Sequence, residues 1–355
     1  MTSRTPRLRA RPSPALSPRA AGVLRAIVAG YIQTGAAIAS EAVRRQGKLD
    51  ISPATVRVVM NELTAQGLLE QPHASAGRVP TEAGLRVYVD HLVRPRAPSP
   101  EDRSALDATL RDAGGEPGAV VRAASRHLAG ACTLAAVGRR PRLADTVVDR
   151  IELLRLDTHR VLAVCVLCEG EVRNRVLKLA EPADDRELAR ARNLFNDRWS
   201  GRRLSEARRE LRASLDDAER RADPDEPLLR LGHEALPEAE SPDDAVLVEG
   251  RTHLIGRDVD PEHMSAVLAA LDDKRLLLHL LDGLADDHPR VVFGGELGVG
   301  ALRDCTLICA PYGDGGLRGA VAILGPSRMN YSRIIPWVGY TAEAISGILH
   351  AKRAA

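Results

Sequence analysis

Residues 51–90 constrain the fold more than any other stretch, because they hold clear signals for the start and the end of a helix. Ser52 is a suitable N-cap, and Pro53 fits the first helical position, where an N–H would have no partner. Gly67 stands where a left-handed residue would end the helix. Apolar residues between them recur at the spacing of one helix face: Val56, Met60 and Leu63. We therefore predict a short helix from Pro53 to just before Gly67.

The other face of this helix predicts a surface for DNA. It carries Thr55, Arg57, Val58, Asn61 and Glu62. A compact helix with Thr, Arg and Asn pointing outward suits the major groove. Arg57 is the first candidate for a base contact, because its fork matches guanine N7 and O6; a phosphate or an intrahelical contact is the alternative. Thr55 and Asn61 follow, with plain exposed helix surface as the alternative, and Ser52 is a cap that also stands within reach of a phosphate.

The stretch after this helix predicts a wing. Residues 68–71 have the composition of a strand, whereas residues 73–78 (HASAGR) are too small and polar for a core. A loop of this kind can lay backbone N–H groups and Arg78 along phosphates, with His73 and Ser75 beside them. The alternative is a simple tight turn. Two helices are expected upstream, over residues 19–34 and 39–47, giving the order helix, helix, helix, wing.

Motifs at both ends of the chain resemble the HrcA family of bacterial heat-inducible transcription repressors. Its N-terminal winged helix is matched by SPATVR, GLLEQPHASAGRVPT and YVD within residues 52–90. Its C-terminal motifs are matched by FGGELG (293–298), LRDCTLI (302–308) and GPSRMNYSRII (325–335). The resemblance spans roughly residues 17–349 and is weakest in the middle.

Two departures from the family pattern concern recognition of the operator. Val58 and Val59 stand where the family usually has Asn and an acidic residue, and Leu85 stands where it has Tyr in a Gly-Tyr-Arg sequence. Because Val58 cannot hydrogen-bond a base edge, we expect base recognition to depend more on Arg57 and Asn61.

The resemblance implies a specific biology. A homodimer would bind an inverted-repeat operator of the CIRCE type in double-stranded DNA upstream of chaperone genes. The chaperonin GroEL would help to keep the repressor active, so that heat stress releases it. The resemblance also implies a winged helix-turn-helix followed by a GAF-like domain that carries an inserted dimerisation domain. A ligand-sensing GAF-domain regulator with a different operator is the alternative function.

The chain order supports a multidomain α/β (α+β) protein. The sequence RPRAPSP is the clearest linker, and we expect it to let each winged helix adjust to its half-site. A charged segment with a helical pattern lies between strand-like sequences, which indicates an insertion; within it, Phe195 and Trp199 form one apolar cluster with Leu194. The preceding strand, residues 161–168, is nearly all apolar, as in a strand buried on both faces. The expected division is a disordered basic tail 1–17, winged-helix domain 18–93, linker 94–100, GAF-like domain 101–180, inserted mostly helical dimerisation domain 181–242 and GAF-like domain 243–355.

Charge is unevenly placed along the chain. The net charge is only +2, but residues 1–96 contain 14 basic and 6 acidic residues, a net +8, and the remainder is at −6. A basic N-terminal region followed by an acidic remainder is expected of a protein that binds DNA through its N-terminus. The alternative is a solvated basic tail, but the excess is still +4 without the four arginines that precede residue 12.

Several other classes of protein are disfavoured. The sequence has no apolar run of about 18 residues and no secretory signal. Its five cysteines, an odd number, favour reduced thiols in the cytoplasm. Cys165 and Cys168 form a single CxxC in an apolar strand, which indicates core cysteine rather than zinc. The glycines of residues 294–300 do not follow GxGxxG. We therefore predict no cofactor, no metal, no catalytic set and no enzyme.

Overall fold

The computed structural model describes residues 16–47, 49–73, 76–114, 116–168, 171–221, 223, 226–237, 242–254, 261–283, 289–313 and 318–353. The fold mixes helices and sheets. We call residues 16–93 the head, residues 94–142 with 242–353 the body, and residues 143–237 the insert. Residues 1–15 of the expected tail lie outside the described residues.

The head is built from helices that begin at side-chain caps. It contains α1 (Pro18–Thr34), α2 (Ser40–Gly47), α3 (Pro53–Ala65), the hairpin strands β1 (Leu69–Glu70) and β2 (Val79–Pro80), and α4 (Glu82–Val87), which continues as one π-helical turn to Leu92. The side chains of Ser17, Ser52 and Thr81 each accept a hydrogen bond from the backbone N–H three residues later. Each cap satisfies a donor that a helix start leaves without a partner.

The body is organised around an antiparallel sheet of five strands in the order β7-β3-β10-β9-β8. Its helices include α5, α6 and α14, of which α6 and α14 pack against the sheet. Strands β9 and β10 are buried over most of their length. The bounds are α5 (Pro100–Asp112), α6 (Pro117–Cys132), β3 (Ala135–Arg139), α10 (Pro242–Ala245), β7 (Val246–Glu249), α11 (Pro261–Asp272), α12 (Lys274–Asp282), β8 (Arg290–Phe293), α13 (Gly294–Leu297), β9 (Cys305–Tyr312), β10 (Gly319–Pro326) and α14 (Tyr331–Arg353).

The insert has a hydrophobic core of its own. Three antiparallel strands in the order β4-β5-β6 pack against three helices, and the buried residues of this core run from Leu143 to Leu236. The bounds are β4 (Val148–Arg155), β5 (Arg160–Leu167), β6 (Val172–Lys178), α7 (Asp185–Trp199), α8 (Leu204–Arg221) and α9 (Glu226–Ala235). Phe195 stacks on Trp199 with ring centroids 5.1 Å apart, as the sequence predicted for this cluster.

Two features of the insert differ from expectation. The boundary expected between residues 180 and 181 falls inside its core, because the change in charge marks the exposed faces of α7–α9 and not the edge of the packed unit. Strand β5 was expected to be buried on both faces, but only alternate residues are buried. The helices cover one face of the sheet, and no described part of the chain buries the other.

The linker does not separate the head from the body. Arg96 donates its backbone N–H to the carbonyl of Ser332 on α14 at 2.7 Å, and Pro98 is buried. One hydrophobic core includes α1, the sheet of the body and α14. The linker backbone is therefore bonded to the body in this structure. Among the described residues, no helix is long and apolar enough to span a membrane.

Candidate nucleic-acid interface

Helix α3 is fixed at its start by the predicted cap. The Ser52 hydroxyl accepts from the Thr55 N–H at 3.1 Å, and the two hydroxyl oxygens lie 2.9 Å apart. Thr55 is half-buried, so its hydroxyl belongs to the cap as much as to the surface. The three predicted apolar positions are buried, and Val59 joins them at 5% exposure. An acidic side chain at position 59 would therefore stand on the packed face.

The exposed face of α3 is a narrow ridge. Its members are Arg57, Val58, Asn61 and Glu62. Val58 is 57% exposed, so this apolar side chain lies in the open surface between the polar ones. Arg57 Nε donates to the Ser40 hydroxyl at the start of α2 at 3.2 Å. This bond goes to a neighbouring helix and not to the turns of α3, so it does not match the intrahelical alternative.

Arg78 joins the wing to α3. Its Nε donates to the Thr64 hydroxyl at 3.1 Å, and its Nη2 donates to Asn61 Oδ1 at 2.9 Å. Its backbone exchanges two hydrogen bonds with Ile38, at 2.9 and 3.0 Å. Because Asn reads adenine through both its oxygen and its nitrogen, Asn61 would have to exchange this partner to make that contact. The sequence did not indicate this role of Arg78.

The wing turn is short and open. His73 is exposed, and its carbonyl accepts from the Ala76 N–H at 2.8 Å. A Cβ at Gly77 would overlap the backbone of Ile38, so glycine allows the turn to pack beside the chain between α1 and α2. Ser75 lies outside the described residues. The structure thus brings Ser52, Thr55 and Arg57 together at one end of the ridge, and Asn61 and Arg78 at the other.

The cysteines do not assemble a metal centre among the described residues, where no group of three metal-ligating side chains is found. Cys165 is buried, and burial raises the pKa of its thiol to about 12. Cys168 is exposed, so it differs from the predicted core position. The two thiols of the CxxC therefore sit in different surroundings.

Known proteins resemble this chain along its length. The model of the HrcA protein C-terminal domain matches residues 118–335. The heat-inducible transcription repressor HrcA of Xanthomonas campestris pv. campestris is 36% identical over 354 residues, which cover 96% of this chain and 98% of that protein. The repressor of the same name from Zymomonas mobilis is 33% identical over 339 residues, which cover 94% of this chain and 97% of that protein.

A solved structure of a hypothetical protein at 2.2 Å resolution shares the fold, with a TM-score of 0.60. Its sequence is 22% identical, and the match covers 95% of this chain and 99% of that one. The role named for the two relatives, transcription repression, is not enzymatic. Because the family model matches more than half of the chain and full-length relatives are 33–36% identical, this chain belongs to the HrcA family of heat-inducible transcription repressors.

Proposed function

We propose that the protein represses heat-shock (chaperone) genes by binding a CIRCE-type inverted repeat as a homodimer, and that heat stress releases it. The observation that carries the proposal is the exposed ridge of α3, which is capped at Ser52 and stands beside the wing turn. This surface lies in a region with a net charge of +8. Its geometry suits insertion of α3 into a major groove while the turn follows the phosphates.

Each residue of the surface has a proposed role. Arg57 reads guanine, since Ser40 holds only its Nε and the two terminal nitrogens can form a fork. Ser52 places the start of α3, with its partial positive charge, toward a phosphate. Asn61 is a second base contact once Arg78 releases it. The wing residues His73, Ser75 and Arg78 lie along the backbone of the duplex.

The domain division that we propose follows the two cores. Residues 18–93 form the winged-helix domain. The body, with its five-stranded sheet and flanking helices, is the GAF-like domain. The insert, residues 143–237, is the dimerisation domain, which moves the expected boundary upstream so that β4–β6 stay with α7–α9.

The uncovered face of the β4-β5-β6 sheet supports the homodimer. The first row across this face contains Leu154, Leu162 and Val176, the next contains Glu152, Val164 and Asn174, and the third contains Arg150, Val166 and Val172. Leu154, Val172 and Val176 are 51–54% exposed. Exposed apolar side chains on a sheet face without cover mark an interaction site, and a two-fold axis lets one surface cover itself.

A matched pair of variants tests this dimer. Val176 and Val58 are exposed to similar extents, 51% and 57%, in the insert and the head. Val176→Asp should shift sedimentation toward the monomer, because burying an unpaired carboxylate is costly. Val58→Asp should leave the dimer intact. A dimer that survives Val176→Asp would place the interface elsewhere.

The repressor function is tested by anisotropy with a CIRCE-type inverted repeat and a scrambled duplex at two stated salt concentrations. We expect the repeat to bind roughly a thousandfold more tightly. Equal binding to both duplexes, lost steeply with salt, would mean that the head contacts phosphates only and would overturn the proposal.

The proposed location is the cytoplasm, and the proposed protein partner is GroEL. The apolar face of the insert supports this partner, because dissociation of the dimer would expose it and exposed apolar surface attracts chaperones. After a heat pulse, GroEL with ATP should restore operator binding faster than ATP alone. Equal recovery would exclude a direct role of the chaperonin.

A cavity supports the alternative, a ligand-sensing regulator with a different operator. Its volume is about 300 Å³, and it lies between the end of α1 and the segment before α14. The lining includes Gln33, Cys132, Arg328, Asn330 and Arg333. Such side chains suit an anionic metabolite, which would raise the melting temperature by mass action. A thermal-shift screen of carboxylates and phosphates without effect would count against this alternative.

A further inference from the structure

Two C-terminal motifs lie against the head, although they are far along the chain from the ridge of α3. We propose that FGGELG (293–298) and GPSRMNYSR (325–333) dock the head on the body and thereby set the half-site spacing that the dimer accepts. This inference rests on the proposed function, since it concerns how two heads meet one operator. We call the two motifs together the docking surface.

The first contact is made by Arg86 on α4. Its Nη1 donates to the carbonyl of Val291 at 2.8 Å, and its Nη2 pairs with the carboxylate of Glu296. Its guanidinium carbon lies 4.6 Å from the centre of the Phe293 ring. Asp90, on the following turn of the head, lies 3.5 Å from Nη1. One side chain of the head is therefore held by a carbonyl, a carboxylate and a ring of the body, and only 18% of it is exposed.

One glycine of the first motif, Gly295, allows this approach. Glu82 Oε2 accepts from the backbone N–H of Gly295 at 3.2 Å, and a Cβ at Gly295 would press on that carboxylate. A Cβ at Gly294 would overlap the backbone carbonyls of residues 302 and 303. Glu296 also accepts from the Phe293 N–H at 3.1 Å, which holds its carboxylate in place for Arg86. Gly295 thus serves close packing against α4, whereas Gly294 serves packing within the body, and neither role needs a nucleotide.

The second motif contacts the head from another side. Arg328 lies against Gly35, the left-handed residue that ends α1, so closely that a Cβ there would overlap its guanidinium. A cation at this position also suits the negative end of the helix dipole. Ser332 accepts the Arg96 N–H of the linker, and the buried Tyr331 ring lies 6.0 Å from Phe293. The two motifs therefore form one continuous surface.

A head held at α1, at α4 and at the linker has little freedom to rotate. One extra base pair between half-sites moves the second site by about 3.4 Å and turns it by about 34–36°. A docked head cannot follow this change, so a dimer on the wrong spacing should bind through one head. Loss of the second head typically weakens binding by about 10²–10⁴-fold.

The experiment compares operators that differ only in half-site spacing, together with a single half-site. The wild-type protein should lose about 10²–10⁴-fold in affinity when two base pairs are added. The variant Glu82→Ala/Arg86→Ala should lose less than about tenfold, while its affinity for the single half-site is unchanged. Gly300→Ala is the control, because a Cβ there meets open space. Equal spacing penalties in the wild type and the double variant would overturn the inference, and so would a wild type indifferent to spacing.

Hydrogen exchange on the free protein separates this inference from the proposed function. Amides of residues 82–92 and 290–297 should exchange faster in the double variant than in the wild type. They should also exchange faster in Gly295→Ala, which adds a single methyl and serves as the milder change if the double variant folds poorly. Unchanged exchange in both variants would overturn the docking surface. If docking is present but no inverted repeat binds specifically, the proposed function fails and the exchange data still decide how the head is held.

Discussion

The two hydrophobic cores predict that the insert and the rest of the chain can be destabilised separately. The chain has only two tryptophans, and each core buries one of them: Trp199 in the insert and Trp337 in the body. Leu211 on α8 is fully buried in the insert. Leu211→Ala should cost about 2–5 kcal/mol through lost burial and the cavity left behind. For a unit of roughly 90 residues, 1 kcal/mol shifts the melting temperature by about 4–8 °C, so a drop of about 8–40 °C is expected.

Fluorescence of single-tryptophan variants measures this effect. Trp337→Phe leaves Trp199 as the reporter of the insert, and Trp199→Phe leaves Trp337 as the reporter of the body. Leu211→Ala should lower the transition reported by Trp199 and leave that reported by Trp337 in place. Leu324→Ala, on the buried strand β10, is the matched control and should do the reverse. If both reporters shift together in both variants, the cores unfold as one unit and the reasoning is refuted.

Three further predictions follow from the head and the cysteines. Arg57→Ala should reduce discrimination between operator and scrambled DNA by about 1–3 kcal/mol. Arg78→Ala should weaken binding to both duplexes and flatten the salt dependence of that binding. Equal effects of the two variants in an anisotropy titration would contradict the assigned roles. Gly84→Ala should lower the free energy of unfolding measured in urea by about 1–3 kcal/mol, because the added methyl would overlap the Leu68 carbonyl. Gly130 is exposed with open space beside it, so Gly130→Ala should raise the free energy of unfolding by about 0.5–1 kcal/mol. An unchanged stability of Gly84→Ala would mean that α4 shifts freely. At pH 8 a thiol reagent should label Cys168 quickly and the buried Cys165, Cys305 and Cys309 only on unfolding, because burial raises the pKa of these three thiols and leaves little thiolate. Fast labelling of those three in the native protein would contradict their burial.

The recognisable parts of the chain were those whose signals are local. The Ser52 cap, the buried stripe of α3 and the apolar cluster that contains Phe195 and Trp199 were predicted and are confirmed. The resemblance to the HrcA family, which depended on short motifs at both ends, is confirmed by relatives that match nearly the whole chain. A cap or a stripe involves residues within a few positions of each other, so a single sequence contains the information that decides it.

The boundary of the insert could not be predicted in this way. Composition changes near residue 181, where charged helices begin, yet one face of β4–β6 is buried by those helices and the strands belong with them. An apolar strand has the same appearance in either core, because its sequence does not specify which surface will cover it. For the same reason β5 was expected to be covered twice, although only one face is packed within the chain.

The sequence by itself determined the start and the end of α3, the polarity of that helix and the family, since each depends on neighbours along the chain. Only the tertiary structure decided which distant groups meet. Arg78 holds Asn61 from the wing, and Arg86 reaches Glu296 across 210 positions of sequence. Such pairs form because packed cores bring two surfaces together, and the positions of those surfaces depend on the whole fold. Gly295 of the FGGELG motif lies beside that contact, where a residue without a side chain lets Glu82 of the head lie close to the body.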